Sequence, residues 1–461
     1  MTVKLTSQRL QFAVLFVMLY AFRTFFGLSK LFYADSDINR DALQTYLIGL
    51  KFYTTHAWPY FGPDQYDQTT GFHFQIAGAL EGLMVGLPFW LLHIPEAPFL
   101  FLNLLSLSAI ALLAWYLSKK FSNLSLTFIF VWLSLLPWTL NQSTQVFNVS
   151  YLLPGSVVFF LGFFEAVPEF SIQWLSPAWA CALMGFGLFW DMQFHQSWVL
   201  LAPFLLGAWV WRRKSKLGGK GELLGFILGS ILPFDCLLPT LIQYGFLKPT
   251  GGLAHAATVF NFSNYKLFFT VLARYLSLPS FEIPRFIGGS TAERMAFLKQ
   301  VPFIIPPAFF LILVGWVQPF FLLGYPWFKG LLKLLRSSGY PWLRGEWTLP
   351  VVRLYVLAML GFLLVWGSFC FATTGPSAHM YYVLLPMVAA YSFAVWDKLA
   401  LKPFWKGLAI ACVFASVWFQ AGTAGERITD DSLYQDRDRI VQAIHQKDYR
   451  LLGDRRSWVT Y

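Results

Sequence analysis

From Phe121 to Phe164 the chain runs without a single Asp, Glu, Lys, Arg or His, bracketed by Lys120 and Glu165. A helix needs roughly 20 apolar residues to cross the hydrocarbon core of a bilayer, so this run is long enough for two crossings. Inside lipid every backbone amide and carbonyl must find its partner within the protein, which favours helices for such a run. Ala97–Ser118, Val301–Phe328 and Leu354–Trp396 (again long enough for two) are also free of Asp, Glu, Lys and Arg. Further spans are expected near Gln11–Phe32, Trp174–Trp190, Ser197–Trp211, Leu223–Leu247 and Gly407–Gln420. The pattern predicts an all-α polytopic membrane protein with about eleven transmembrane helices. Composition agrees: 57% of the residues are hydrophobic and 12% charged, against about 25% charged in a soluble domain. That excludes a soluble or disordered chain.

The N-terminal apolar stretch does not read as a cleaved signal, because it is long, contains Arg23 and lacks a small-x-small site. The net charge of +11 is expected on cytoplasmic loops beside anionic lipid, not on a nucleic-acid surface. Cys181, Cys236, Cys370 and Cys412 all lie in apolar runs, so neither a disulfide framework nor a zinc site is expected.

Gly71–Ile94 is apolar enough to cross, yet holds His73, Glu81 and His93. If it lies along the outer interface as an amphipathic helix, the basic clusters fall on one side with the N-terminus. Those clusters are Lys119/Lys120, Arg212–Lys220, Lys329–Arg353 and Lys398–Lys406. The positive-inside rule makes that side cytoplasmic. The expected organisation is then a membrane unit over residues 1–420, with outer regions at 33–96 and 248–300. A short outer tail follows at 421–461, with Ile440, Ala443 and Ile444 spaced as on a small amphipathic helix.

Asp35, Asp37 and Asp41 cluster directly after the first span. Apolar spacing at Leu43, Tyr46, Leu47 and Leu50 predicts a helix from Ile38 to Tyr53. If the helix begins near Asp37, that residue and Asp41 share one face, and Asp37 sits where free amides and the dipole keep a carboxylate ionised. An ionised carboxylate at the membrane surface suits a general base or a cation ligand; the plainer alternative is a helix cap with solvated acids. A divalent cation is compatible with these acids, although no His/Asp/Glu set has zinc spacing.

The pattern Asp37-x-x-Arg40-Asp41-Ala42, then Trp58-Pro59-x-x-Gly62-Pro63, then Gly71 opening an apolar segment, resembles the GT-C membrane glycosyltransferases. More narrowly it is similar to the family 39-like branch of protein O-mannosyltransferases and lipid A aminoarabinose transferases. The resemblance covers about residues 10–120, is weaker through Tyr151–Trp211 and around Pro376–Pro386, and does not extend to the tail. It implies a donor sugar on a polyprenyl phosphate, inverting transfer to a hydroxyl on the outer face, and no nucleotide. The acceptor hydroxyl belongs to a lipid, a glycan or a protein. Asp37 matches the catalytic position, Arg40 and Asp41 match its neighbours, and Asp35 is the alternative base. Compact loops without large insertions suggest a bacterial inner membrane, and the charge asymmetry puts the N-terminus in the cytoplasm and the C-terminus outside, among membrane lipids.

Other residues are candidates for binding donor or sugar. Asp191, His195 and Gln196 lie at the outer ends of two expected spans, where polar groups are costly without a purpose. The family often has a Lys-Gly pair where this chain has His195-Gln196. His379, Tyr381 and Tyr382 lie at another outer end, where an interfacial aromatic belt competes as explanation. Arg274 and Arg285 are cations suited to phosphate, with solvated surface as the alternative. Trp58, Tyr60 and His73 are candidates for stacking on, or bonding to, a sugar. Arg23 and Lys30 either snorkel or, for Lys30, face a cavity. A transporter or flippase of a lipid-linked sugar is the competing function; no internal repeat supports it.

Overall fold

The computed structural model describes residues 2–31, 37–67, 72–214, 219–245, 260–277, 280–336, 350–372, 378–428 and 435–452. Asp35 lies outside them. The side chains of Asp37, Arg40, Asp41, His73 and His379 are also outside what is described.

The chain is almost wholly helical. In order come α1 (Thr2–Leu28), α2 (Asp37–Thr55), a hairpin of β1 (Phe61–Asp67) and β2 (Phe72–Ala77), α3 (Leu80–Leu91) and α4 (Ala97–Lys120). Next are α5 (Leu126–Leu135), α6 (Pro137–Ser143), α7 (Leu152–Ala166), α8 (Pro177–Asp191), α9 (Ala202–Lys214) and α10 (Lys220–Tyr244). Then follow α11 (Phe268–Ser277), α12 (Thr291–Gln300), α13 (Ile305–Arg336), α14 (Pro350–Phe369), α15 (Leu385–Leu399), α16 (Pro403–Ile428) and α17 (Gln435–Gln446).

Among the described residues 7 helices are long and apolar enough to cross a membrane: those at Arg9–Leu28, Ala97–Lys120, Asn148–Ala166, Lys220–Tyr244, Pro302–Phe328, Val351–Phe369 and Pro403–Ile428. Their outward faces carry Val14, Val17 and Met18 on α1, Leu224, Ile227, Leu228 and Ile231 on α10, and Phe309, Leu313 and Phe320 on α13. Exposed apolar surface of that extent is matched to lipid, not water. The other expected spans coincide with shorter helices. One of them, α5, stops at Leu136, because Pro137 has no amide to offer and its ring crowds the preceding turn. Leu135 closes one helix and Pro137 opens the next, so two helices stand in place of one.

Gly71–Ile94 departs from the expected outer helix. Its first part is β2, in antiparallel register with β1 (Tyr66 opposite His73). Phe72, Phe74 and Ile76 alternate with polar residues, which is a strand period that the apolar count concealed. The helix proper is the 12-residue α3, about 18 Å long and too short to cross. The hairpin turns the chain back so that α2 and α3 lie side by side in the same direction. Thr45 meets Glu81, Gly49 would clash with Val85 if it carried a Cβ, and Tyr53 lies 5.6 Å from Phe89.

Packing between α8 and α10 depends on small residues. A Cβ on Gly225 would overlap the Ala178 carbonyl, and one on Gly229 the Ala182 carbonyl. This is the close approach that a Gly-x-x-x-Gly face permits between helices in lipid.

The two ends of the bundle differ. At the Lys120 end, Lys120 donates to the Glu169 carbonyl at 2.9 Å and Arg353 pairs with Glu169 at 2.6 Å. Arg212 pairs with Glu222 at 2.6 Å, and Asp397 accepts the Asn123 amide at 2.9 Å. Residues from five expected cytoplasmic segments therefore gather at one end. The other end holds Glu96, about 36 Å away along the 24 residues of α4. Residues 435–452 lie at the Glu96 end, packed on α2.

Candidate functional site

The polar interior at the Glu96 end is built on the broken helix. Residues Pro137–Ser143 are all buried despite the sequence Thr139, Asn141, Gln142, Ser143. The carbonyls of Ser134 and Leu135, at the open C-terminal end of α5, have no further turn to bond to. Arg23, fully buried on α1, supplies one donor: Nη1 reaches Ser134 O at 3.0 Å. Its Nε donates to Asn103 Oδ1 at 2.9 Å and its Nη2 to Ser143 Oγ at 2.7 Å. Gln420 on α16 donates to Leu135 O at 2.8 Å.

Two residues beyond α1, Lys30 repeats the arrangement on α6. Its Nζ donates to the backbone carbonyl of Asn141 and, at 2.9 Å, to Asn141 Oδ1, and lies 5.0 Å from the Phe26 ring centroid. Both cations thus sit at helix C-termini, where the dipole favours positive charge. Phe26, Leu140 and Ala424 form a small apolar cluster that brings α1, α6 and α16 together here. Arg427, at the end of α16, donates to the Phe286 carbonyl and is close enough to repel the charge on Lys30, as is Arg23. Among the described residues every bond made by Arg23 and Lys30 goes to a neutral group. Burial, and then the charges of Arg427 and Arg23, push the Lys30 pKa well down.

Expected site residues divide into those the fold gathers near this group and those it does not. Asp37 opens α2, seven residues after Lys30, and α2 packs on the 3-10 turn Asn148–Tyr151 that follows α6. Arg40 and Asp41 belong to the first turns of the same helix. Tyr382 is brought in by a 3-10 turn, Ala378–Leu384, which also contains His379. Its hydroxyl donates to Thr139 O at 3.4 Å and its ring meets Trp138 edge-on at 4.9 Å. Tyr381 and Tyr382 are both buried, so they pack the interior and do not form the expected interfacial belt. Arg285 is exposed and adjoins Phe286, which accepts from Arg427; Arg274 is half-buried on α11.

Asp191 and His195 flank a second polar pocket. Asp191 ends α8, is fully buried, and accepts from Ser156 Oγ at 2.8 Å through one oxygen; the other has no partner among the described residues. Its carboxylate does not pair with His195. That ring's Nδ1 accepts the Ser197 amide at 3.1 Å, so a neutral ring carries its proton on Nε2. Burial pushes the His195 pKa down to about 4. His195 therefore holds no fixed charge near neutral pH. Gln196 opens the 3-10 turn that leads into α9.

The first loop touches this pocket through Gly78. Its φ of 124° excludes most side chains, and a Cβ there would overlap Gln193, whose amide donates to Pro233 O at 2.7 Å. Tyr60 packs edge-on to Tyr244 at 5.3 Å, and Trp58 is half-buried with its ring nitrogen unpartnered among the described residues. Sequence reasoning missed Asn141, Arg427 and Glu81 as site groups. Glu81 is fully buried and accepts from Thr45 Oγ1 at 2.7 Å; a lone acid within an apolar run was its only signal.

Among the described residues no three His, Cys, Asp or Glu side chains gather as a metal ion would need. The side chains of Asp35, Asp37 and Asp41 lie outside that statement. Comparison with family models, curated proteins and solved structures finds no match for the chain.

Proposed function

We propose that the chain is a membrane glycosyltransferase that moves a sugar from a polyprenyl phosphate to an acceptor hydroxyl at the Glu96 end, with Asp37 as general base. The observation that carries this reading is the gathering of Arg23, Lys30 and Arg427, the first two bonded among the described residues to neutral groups, beside the helix that Asp37 opens. In the reaction Asp37 takes the hydroxyl proton, and the acceptor oxygen attacks the anomeric carbon from the side opposite the phosphate. The bond from that carbon to the phosphate oxygen breaks with inversion, and the electron pair leaves on the polyprenyl phosphate. Lys30 and Arg427 are placed to stabilise the charge that builds there, as preorganised donors do in a water-poor site. The GT-C resemblance supports the same assignment.

Positive-inside asymmetry makes the Lys120 end cytoplasmic, with eleven crossings, the N-terminus inside and the tail outside. A bacterial inner membrane fits the compact loops. The prenyl tail would lie along the lipid-facing helices, each buried CH₂ adding about 0.8 kcal/mol to binding. The remaining contacts set the sugar and the acceptor, a lipid, glycan or protein.

A flippase for the same lipid-linked sugar is the second reading, favoured by one observation. A helix broken at Leu136 with a buried arginine on its open end is the kind of site transporters place in mid-membrane. Asp37→Asn separates the two. With Asp37 as base, transfer to acceptor falls by about 10²–10⁴ while the protein still folds and binds the isoprenyl phosphate. Unchanged transfer in that variant would overturn the assignment, and lost substrate movement without any transferase activity would establish the flippase.

A further inference from the structure

The tail is tied to the one helix on which the proposed chemistry depends. α17 buries Ile440, Ala443 and Ile444, and the 3-10 turn Tyr449–Leu452 after it buries Leu452. Asp436 and Asp438 occupy its first turn and His445 its last, the polarity that a helix dipole favours. Both α17 and that turn pack on α2. Arg437 Nε meets Glu96 Oε1 at 2.5 Å, with both side chains partly shielded. Glu96 follows Pro95, whose carbonyl accepts the buried hydroxyl of Tyr46 on α2 at 3.0 Å. Helix α2 is thus fastened twice to the start of α4, once directly through Tyr46 and once through the tail. The tail itself emerges from α16 just after Arg427.

We propose that residues 435–452 are a strap that positions α2, and with it Asp37, against the cation group, with the Glu96–Arg437 pair as its fastening. An alternative in which the tail merely covers apolar surface would not need a shielded ion pair to the segment that also holds Tyr46. Arg437 and Glu96 act here as positioning residues. The effect on catalysis rests on the reading of Asp37 as base, whereas the effect on α2 does not.

The test uses the full chain in detergent with Arg437→Glu, Glu96→Arg, the double exchange and Arg437→Lys. Amide hydrogen exchange of residues 42–55 reports the strap directly, and steady-state transfer reports its consequence. Each single reversal is expected to speed exchange in α2 by about tenfold or more, a local opening that leaves α4 and α7 protected. The double exchange and Arg437→Lys are expected to restore protection. In transfer, kcat should fall about tenfold in the reversals with the donor KM unchanged, and return in the double exchange. Unchanged α2 exchange in both reversals would overturn the strap whatever the activity. Faster exchange with unaltered kcat would overturn its positioning role. Absence of transfer in the unaltered chain would count against the glycosyltransferase reading alone, since the exchange result still decides the strap.

Discussion

Replacing Lys30 by Met tests whether the cation group is a ligand site or a set of helix caps. Three terms oppose one another in the empty protein. Lys30 and Arg23 are seven residues apart on a rise of about 1.5 Å, hence about 10 Å. At an effective dielectric of about 20 their repulsion is about 1.7 kcal/mol, and Arg427 adds a term of similar sign. Removing a half-buried ammonium also recovers several kcal/mol, by order of magnitude, of lost hydration. Against these stand two charge-assisted bonds to Asn141, about 1.5–3 kcal/mol each. The sum leaves the empty variant within about 2 kcal/mol of the unaltered chain. Binding behaves differently. A short-chain isoprenyl phosphate at 100 times its Kd stabilises a protein by about 2.7 kcal/mol. Loss of one charged bond weakens affinity by roughly 100-fold, which brings the ligand to its Kd and the stabilisation to about 0.4 kcal/mol. Thermal unfolding in detergent, with and without the phosphate, measures both quantities. Equal ligand stabilisation of variant and unaltered chain would refute the site. A loss of more than about 3 kcal/mol in the empty variant would show that Lys30 is chiefly a cap.

Gly229→Ala puts a methyl group where the Ala182 carbonyl stands, so α8 and α10 must separate; a loss of about 1–3 kcal/mol is expected. Gly207→Ala, with nothing within 4 Å, should instead gain up to about 1 kcal/mol, and equal melting temperatures for the two variants would contradict the packing. His195 is the pH test. Its folded pKa is about 4 against 6.5 ordinarily, so the unfolded chain binds the extra proton first and stability falls as pH drops from 6.5 towards 4. The full shift corresponds to about 3 kcal/mol, which the half-exposed ring reduces to about 1–2 kcal/mol. His195→Asn should flatten that part of the melting-temperature profile, and an unchanged profile would show that the ring is not the titrating group.

What the sequence revealed depended on whether the signal was local. Long apolar runs mark each long helix, and Lys119/Lys120 mark the end at which Arg212, Arg353 and Asp397 also arrive. The helix from Asp37 followed from apolar spacing at Leu43, Leu47 and Leu50. By contrast, Phe72–Ala77 is apolar enough to pass for helix, and only its two-residue period betrayed a strand. The Lys30 group was out of reach for a different reason. Lys30 is local to a span end, but its partner Asn141 and its neighbour Arg427 come from distant parts of the chain. Only packing of α1, α6 and α16 makes them neighbours. Nothing in the sequence around Arg437 indicates that it meets Glu96.

The way in which the cations are satisfied bears on what they can do. A buried lysine or arginine needs donors' partners, and a carboxylate would supply them while cancelling the charge. Here the partners are the Ser134 carbonyl, freed where α5 breaks at Leu136 and Pro137, the Asn141 carbonyl near the end of the short α6, and the side chains of Asn103, Asn141 and Ser143. A carbonyl satisfies a donor yet leaves a net positive charge, and the helix dipole offsets part of the cost of burial. The break and the short helix that follows it therefore explain how Arg23 and Lys30 are tolerated without an acid beside either among the described residues. A helix unbroken at Pro137 would bond the Ser134 carbonyl within its own turns, and Arg23 would then need another acceptor.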